Sequence, residues 1–196
     1  LNGLLDYIFA DIRKFRIQKD CPVVGGMIVC ETNPQARELF RLFEERNRPE
    51  NLVPGEKPLR AVLILHDEGD KEDRKGSINE FKKTESIDFL IVNKMLLTGF
   101  DAPRLKRLYL CRKLDGHDLL QALTRVNRPY RDFRYGYVVD FADIKENFTE
   151  TNNRYLKELH DAIYGRGAEG EDAGGNPAAA LLVTAEEITQ KLNELK

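Results

Sequence analysis

Three polar side chains of one short segment, Gln121, Arg125 and Arg128, recur at the spacing of a single helical face. Positions i, i+4 and i+7 lie on the same side of an α-helix, so all three point one way. On that helix no acidic residue stands three or four positions from either arginine. A guanidinium offers a rigid fork of donors to phosphate and to the charge of a transferring phosphoryl group. The spacing therefore indicates a phosphate site about as strongly as it indicates a solvated face.

A second candidate is the loop Thr98–Pro103, which follows a buried apolar run. Gly99 lets a ligand approach the backbone closely, and the Asp101 carboxylate can accept hydrogen bonds from ribose hydroxyls or order the loop. In open α/β sheets, loops at the carboxyl ends of strands bind ligands, so we expect this loop there. A tight turn with glycine at positive φ is the structural alternative, which the loop taken alone favours.

Short apolar segments predict the strands that position these groups. Most are apolar on both faces, as in a parallel sheet that helices cover on both sides. Helical patterns alternate with them, so the predicted class is α/β with a mainly parallel sheet. We expect Asn33 to cap the helix after the first strand, with Pro34 in its first turn. The five predicted strands are Val23–Cys30, Leu59–His66, Asp88–Asn93, Lys106–Arg112 and Gly136–Phe141.

Composition limits the class of protein. The chain has 196 residues, a formal charge of −2, and 41% hydrophobic and 33% charged residues, as in one globular domain with appendages. No apolar run reaches the roughly 20 residues of a membrane helix, no signal peptide is recognisable, and three cysteines without a CxxC pair argue for the cytoplasm. Residues 98–140 hold nine basic against five acidic residues, an excess that fits a phosphate-bearing partner. The chain begins without Met, so we expect a piece of a longer protein.

The segment from Gln121 to Arg128, QALTRVNR, resembles motif VI of superfamily 2 helicases and translocases, Q-x-x-G-R-x-x-R. Asn93 to Asp101 is similar to motif V, and Met27–Asn33 to motif IV. The succession LLTGFDAP, QALTRVNRPY and GYVVDF most resembles the motor (R) subunits of type I restriction enzymes. Two positions depart from the pattern: Thr124 replaces the glycine of motif VI, and Asn93 stands where threonine is common in motif V.

The resemblance implies a RecA-like second domain that clamps ATP and Mg²⁺ against a first domain. Arg125 and Arg128 would be arginine fingers, and Gln121 would line the cleft beside them. Gly99 and Asp101 would reach the nucleotide. Other residues, Thr32, Asn33 and Asn93, would contact the nucleic-acid backbone rather than its bases. Implied partners are double-stranded DNA and the methylation and specificity subunits of the restriction complex, and no metal site made by this chain alone is implied.

Two absences limit that function. The sequence has no G-x-x-x-x-G-K-[ST] and no DEAD-like box, so it holds half of an ATP site and should not hydrolyse ATP alone. The alternatives are the second RecA-like domain of a superfamily 2 repair helicase, or a non-catalytic phosphate-binding or scaffold domain. A metal-dependent phosphohydrolase is disfavoured, because His66-Asp67 and His117-Asp118 leave His160 as the one further histidine.

The chain divides by composition into five stretches. The predicted division is an N-terminal connecting helix at 1–17, a RecA-like domain at 18–142, the start of a helical region at 143–164, a Gly-rich linker at 165–178, and a C-terminal helix at 179–196.

Overall fold

A parallel sheet forms the centre of the protein in the computed structural model, which describes residues 1–97, 99–114, 116–142 and 182–183. The strands lie in the order β2-β3-β1-β4-β5-β6, and every neighbouring pair is parallel. Four of the first five fall inside the segments expected from sequence, and β4 begins one residue before its predicted segment, so the α/β prediction is confirmed. The strands are β1 (Gly25–Val29), β2 (Ala61–Ile64), β3 (Phe89–Val92), β4 (Leu105–Leu110), β5 (Tyr137–Asp140) and β6 (Leu182–Val183).

The sixth strand corrects one prediction. Leu182 and Val183 pair with Val138 and Val139 of β5, so the predicted helix at 179–196 is wrong at these two residues. Adjacent apolar residues suit a strand that covers an otherwise unpaired edge. The remainder of that predicted helix lies outside the described residues, as do the helical region at 143–164 and the linker at 165–178.

Helices cover both faces of the sheet. Two of them contribute buried side chains to one core layer, α1 (Asn2–Gln18) and α2 (Asn33–Arg46). The other layer takes Phe81 from α3 (Lys71–Lys83) and Leu119, Ala122 and Val126 from α4 (Gly116–Val126). A short 3₁₀-helix, Pro49–Asn51, follows α2. Six buried residues make α1 part of the core rather than only a connection.

The cap of α2 differs from the expected one. Thr32, not Asn33, is the N-cap, and its hydroxyl oxygen accepts a hydrogen bond from the Gln35 N–H at 3.2 Å. Asn33 is the first helical residue and Pro34 the second. Both residue types cap helices well, and the position of Pro34 does not distinguish them because proline fits throughout the first turn.

Parallel strands impose a path on the connections. Each connection must return from the carboxyl end of one strand to the amino end of the next. The segment between β3 and β4, residues 93–104, therefore starts at the carboxyl end of the sheet and finishes at the amino end. The helix α4 makes the same journey between β4 and β5, so Val126 lies at the amino end. Six-residue β4 separates the two ends by about 20 Å.

Candidate nucleotide and nucleic-acid site

The helix α4 presents Gln121 and Arg125 to the loop before β4. Arg125 donates from Nη1 to the carbonyl oxygen of Phe100 at 2.8 Å and from Nη2 to Oε1 of Gln121 at 2.8 Å. Just beyond the helix, Nη1 of Arg128 lies 3.1 Å from Oδ2 of Asp101. The structure thus brings together the five residues expected at a nucleotide.

The place of this cluster differs from the expectation. The sequence predicts Gly99 and Asp101 at the carboxyl ends of the strands. Phe100, between them, instead bonds to Arg125 in the last turn of α4, and Asp101 pairs with Arg128 just after that helix, so the loop lies at the amino end. The reason is the length of the loop, which has already crossed the sheet when it reaches Phe100. The ring of Phe100 lies 6.2 Å from that of Phe81, near the end of α3.

The donors of the cluster suit an anion. The buried Nε of Arg125 has no hydrogen-bond partner among the described residues, so part of this guanidinium is available to a further acceptor. Arg128 and Asp101 are 44% and 51% exposed, so their ion pair opens at little cost. Gly99 is exposed at φ +68°, and no atom lies within 4 Å of where a Cβ would stand. A phosphate group fits this donor set.

A chain of side-chain hydrogen bonds runs along the carboxyl end of the sheet. Arg112 donates from Nη1 to Oδ1 of Asn93 at 2.8 Å, and Nδ2 of Asn93 donates to Oδ1 of Asn33 at 2.9 Å. Nδ2 of Asn33 in turn donates to Oδ1 of Asp67 at 3.0 Å, and that carboxylate pairs with Arg37. Arg37 and Asn33 thereby lower the pKa of Asp67, the hydrogen bond from Arg37 being the larger cause.

This carboxyl-end chain brings two of the three residues expected at nucleic acid into direct contact, Asn33 and Asn93. The third, Thr32, precedes Asn33 but uses its hydroxyl oxygen to cap α2. Arg112 is not among the residues expected at nucleic acid, although its buried Nε has no partner among the described residues. Its position two residues after β4, at the same end of the sheet as Asn93 after β3, is the signal that could have identified it.

The basic excess of residues 98–140 is only partly on the surface. Arg104, Lys106 and Arg107 are buried at the start of β4 and just before it, with 3%, 0% and 6% of their surface exposed. They bond to backbone carbonyls or to the partly buried carboxylate of Asp11, so they are unavailable to a phosphate-bearing partner. The basic excess counted over residues 98–140 therefore overstates, by these three residues, the positive charge that such a partner could reach.

Part of this chain matches a known protein family. Residues 71–143, which include α3, β3, β4, α4 and β5, match the family model of type I restriction enzyme subunit R domain 3. The resemblance to R subunits is confirmed. The chain is 53% identical over 117 residues to a type I restriction enzyme endonuclease subunit, MjaVIIP, of Methanocaldococcus jannaschii, covering 60% of this chain and 10% of that relative. The chain thus spans about a tenth of the length of that relative.

Solved structures agree on the fold. A fragment of an HsdR subunit of a type I restriction enzyme from Vibrio vulnificus YJ016 matches with a TM-score of 0.58 at 22% identity, over 74% of this chain and 28% of that chain. The Hef helicase domain of Pyrococcus furiosus matches with a TM-score of 0.50 at 12% identity, over 76% and 28%. At these identities the likeness shows the fold alone, which this chain shares with both structures.

Two features are absent from the part of the chain that the structure describes. No group of three or more His, Cys, Asp or Glu side chains is arranged there to hold a metal ion. Within the same residues no helix is long and apolar enough to cross a membrane.

Proposed function

We propose that this chain is the second RecA-like domain of the ATP-dependent DNA-translocating R subunit of a type I restriction enzyme. One observation carries the proposal. Gln121, Arg125 and Arg128 converge with the Gly99–Asp101 loop, inside the residues that match the R subunit family model. The named activity of the relatives, as endonuclease subunits, supports the same assignment for the whole protein.

In this proposal Arg125 and Arg128 are arginine fingers. ATP with Mg²⁺ supplies the transferable γ-phosphoryl group, and a first RecA-like domain supplies the other half of the site. Arg125 is held in place by its bonds to Phe100 and Gln121 and keeps Nε for an acceptor. Arg128 exchanges its exposed partner, Asp101, for the phosphate charge, which frees that carboxylate for the ribose. The chain by itself is then inactive in ATP hydrolysis.

The carboxyl-end chain is the proposed nucleic-acid contact. Asn33 and Asn93 each use one amide hydrogen within the chain, which leaves a second donor on each amide for a backbone phosphate. Thr32 keeps its hydroxyl hydrogen for the same purpose, since it accepts rather than donates at the helix cap. Such contacts position duplex DNA without reading its sequence. The methylation and specificity subunits are the proposed protein partners, in the cytoplasm, and the specificity subunit would set the DNA site.

DNA-stimulated ATP hydrolysis by the full-length R subunit tests the proposal. Arg125→Ala and Arg128→Ala should each lower the maximal rate by about 10³-fold or more, as loss of an arginine finger does. Asn93→Ala should instead raise the DNA concentration needed for half-maximal stimulation and leave the maximal rate unchanged. Arg41→Ala, which removes an exposed arginine of α2, is the matched control. Wild-type maximal rates in both finger variants would refute the assignment.

A further inference from the structure

A lysine occupies a core position of the sheet, where apolar side chains are usual. Lys106 is in β4, has no exposed surface, and lies on the same face of the strand as Leu108 and Leu110. Burying an ammonium removes it from water, a cost that an apolar side chain would avoid. The lysine must therefore be explained by what its charge contacts.

The ammonium of Lys106 contacts the end of α4. Its Nζ donates to the carbonyl oxygen of Val126 at 3.2 Å and also to that of Arg128. Val126 is the last residue of the helix, where carbonyl groups lack helical partners and the helix dipole is negative. The lysine thus supplies a donor and a positive charge where the helix offers unpaired acceptors.

The backbone just before β5 also packs against this turn. A Cβ at Gly136 would lie 2.4 Å from the carbonyl oxygen of Val126, so the chain entering β5 touches the helix end directly. Val126 is therefore contacted from two neighbouring strands, by Lys106 of β4 and by Gly136 just before β5. Lys106 also binds the carbonyl oxygen of Arg128.

We propose that Lys106 is a positioning residue that fixes the backbone carrying Arg125 and Arg128. This inference rests on the proposed function, in which those two arginines must meet a phosphoryl group in one geometry. The lysine itself touches neither guanidinium, since it binds backbone carbonyls and acts through them. A displacement of about 1 Å at a catalytic group costs about 10²-fold in rate, so the helix end needs such a clamp.

Hydrogen exchange and kinetics on the full-length R subunit test the inference together. The Asn127 N–H bonds to the carbonyl oxygen of Leu123 at 3.2 Å and reports opening of the end of α4. The Asn47 N–H makes the matching bond to Phe43 at the end of α2, also at 3.2 Å, and is the internal control. In Lys106→Met we expect exchange at Asn127 to quicken about tenfold while Asn47 is unchanged.

The kinetic readout separates positioning from binding. Lys106→Met should lower kcat of DNA-stimulated ATP hydrolysis by about 10²-fold with KM for ATP unchanged, and Lys106→Arg should recover part of that loss. Unchanged exchange at Asn127 with wild-type kcat would overturn the inference. If Lys106→Met speeds exchange at Asn47 as well, the same measurements are made on Lys106→Gln, which keeps a shorter side-chain donor. Unfolding of both variants counts against a positioning role.

Failure of the proposed function gives a different result. If Arg125→Ala and Arg128→Ala retain wild-type kcat, the arginines are not fingers, whereas exchange at Asn127 still reports whether Lys106 holds the helix end. If those two variants lose activity but Lys106→Met does not, the proposed function stands and the positioning role is wrong.

Discussion

Two groups of basic residues lie within 40 residues of sequence and behave oppositely. At β4, Arg104, Lys106 and Arg107 are buried and donate hydrogen bonds to backbone carbonyls or to a carboxylate. In and after α4, Arg125 and Arg128 are partly exposed, and their partners include one exposed acid. A count of charges along the sequence does not distinguish these two groups. The first is needed for the fold, and only the second can contact a ligand.

Burial explains the difference. Arg107 lies under the rings of Phe15 and Tyr137, with its guanidinium carbon 4.6 and 5.5 Å from their centroids. Its Nε donates to Oδ2 of Asp11 at 2.9 Å, and Asp11 also accepts from the Tyr109 hydroxyl at 2.7 Å. Such a cation depends on these partners for compensation, because little of its side chain is exposed to water.

Removing that compensation should give the largest effect on stability. Asp11→Ala leaves the guanidinium of Arg107 buried without its carboxylate, and we expect the free energy of unfolding to fall by about 3 kcal/mol. The measurement is urea unfolding of this chain at neutral pH, followed by circular dichroism.

The control is another acid of the same helix. Asp6 pairs with Arg46 at 2.6 Å, but both side chains are nearly half exposed, at 47% and 48%. Asp6→Ala should therefore cost less than about 1 kcal/mol. Equal losses in the two variants would show that burial does not separate the two groups of charges.

A smaller effect on the free energy of unfolding should come from the titration of Lys106. Burial lowers its pKa from 10.5 to about 8. Between these values the unfolded chain holds a proton that the folded chain has released, so stability rises with pH across this window. From pH 7 to pH 9 the wild type should gain about 1 kcal/mol relative to Lys106→Met.

The comparison with Lys106→Met isolates the lysine from other buried groups. Desolvation raises the pKa of Cys30 to about 12 and also raises that of Cys111, which makes stability fall with pH above pH 9 in both proteins. Unfolding is measured at pH 7 and pH 9 in each protein. A wild-type gain no larger than that of the variant would contradict the shifted pKa of Lys106.

The sequence predicts the strands well because each is an apolar run covered on both faces, a property that needs no knowledge of distant residues. It also predicts the shared face of Gln121, Arg125 and Arg128, since helical spacing is local. It fails for the path of the 93–104 loop, because nothing in the residues themselves tells at which end of the sheet Gly99 and Asp101 finish.

The partners of the buried cations cannot be predicted from the sequence, for a related reason. Arg107 and Asp11 are 96 positions apart, and their pairing depends on how α1 packs on the sheet. The carbonyls that bind Lys106 carry no side-chain signature at all. Within the candidate site, the residue types and spacing are thus predictable, whereas the partners that hold them in place depend on tertiary structure.

The smallest expected effect on stability concerns the exposed group of basic residues. Arg128→Ala removes an ion pair whose side chains are 44% and 51% exposed, so the free energy of unfolding should change by no more than about 0.5 kcal/mol. The carbonyl of residue 128, which Lys106 binds, remains in the variant, so the end of α4 should also stay closed. Urea unfolding of this chain measures the change in stability, and hydrogen exchange at Asn127 measures whether the end of α4 stays closed. A loss as large as that of Asp11→Ala would mean that Arg128 belongs with the buried group, and a lost activity in this variant could then no longer be attributed to its guanidinium.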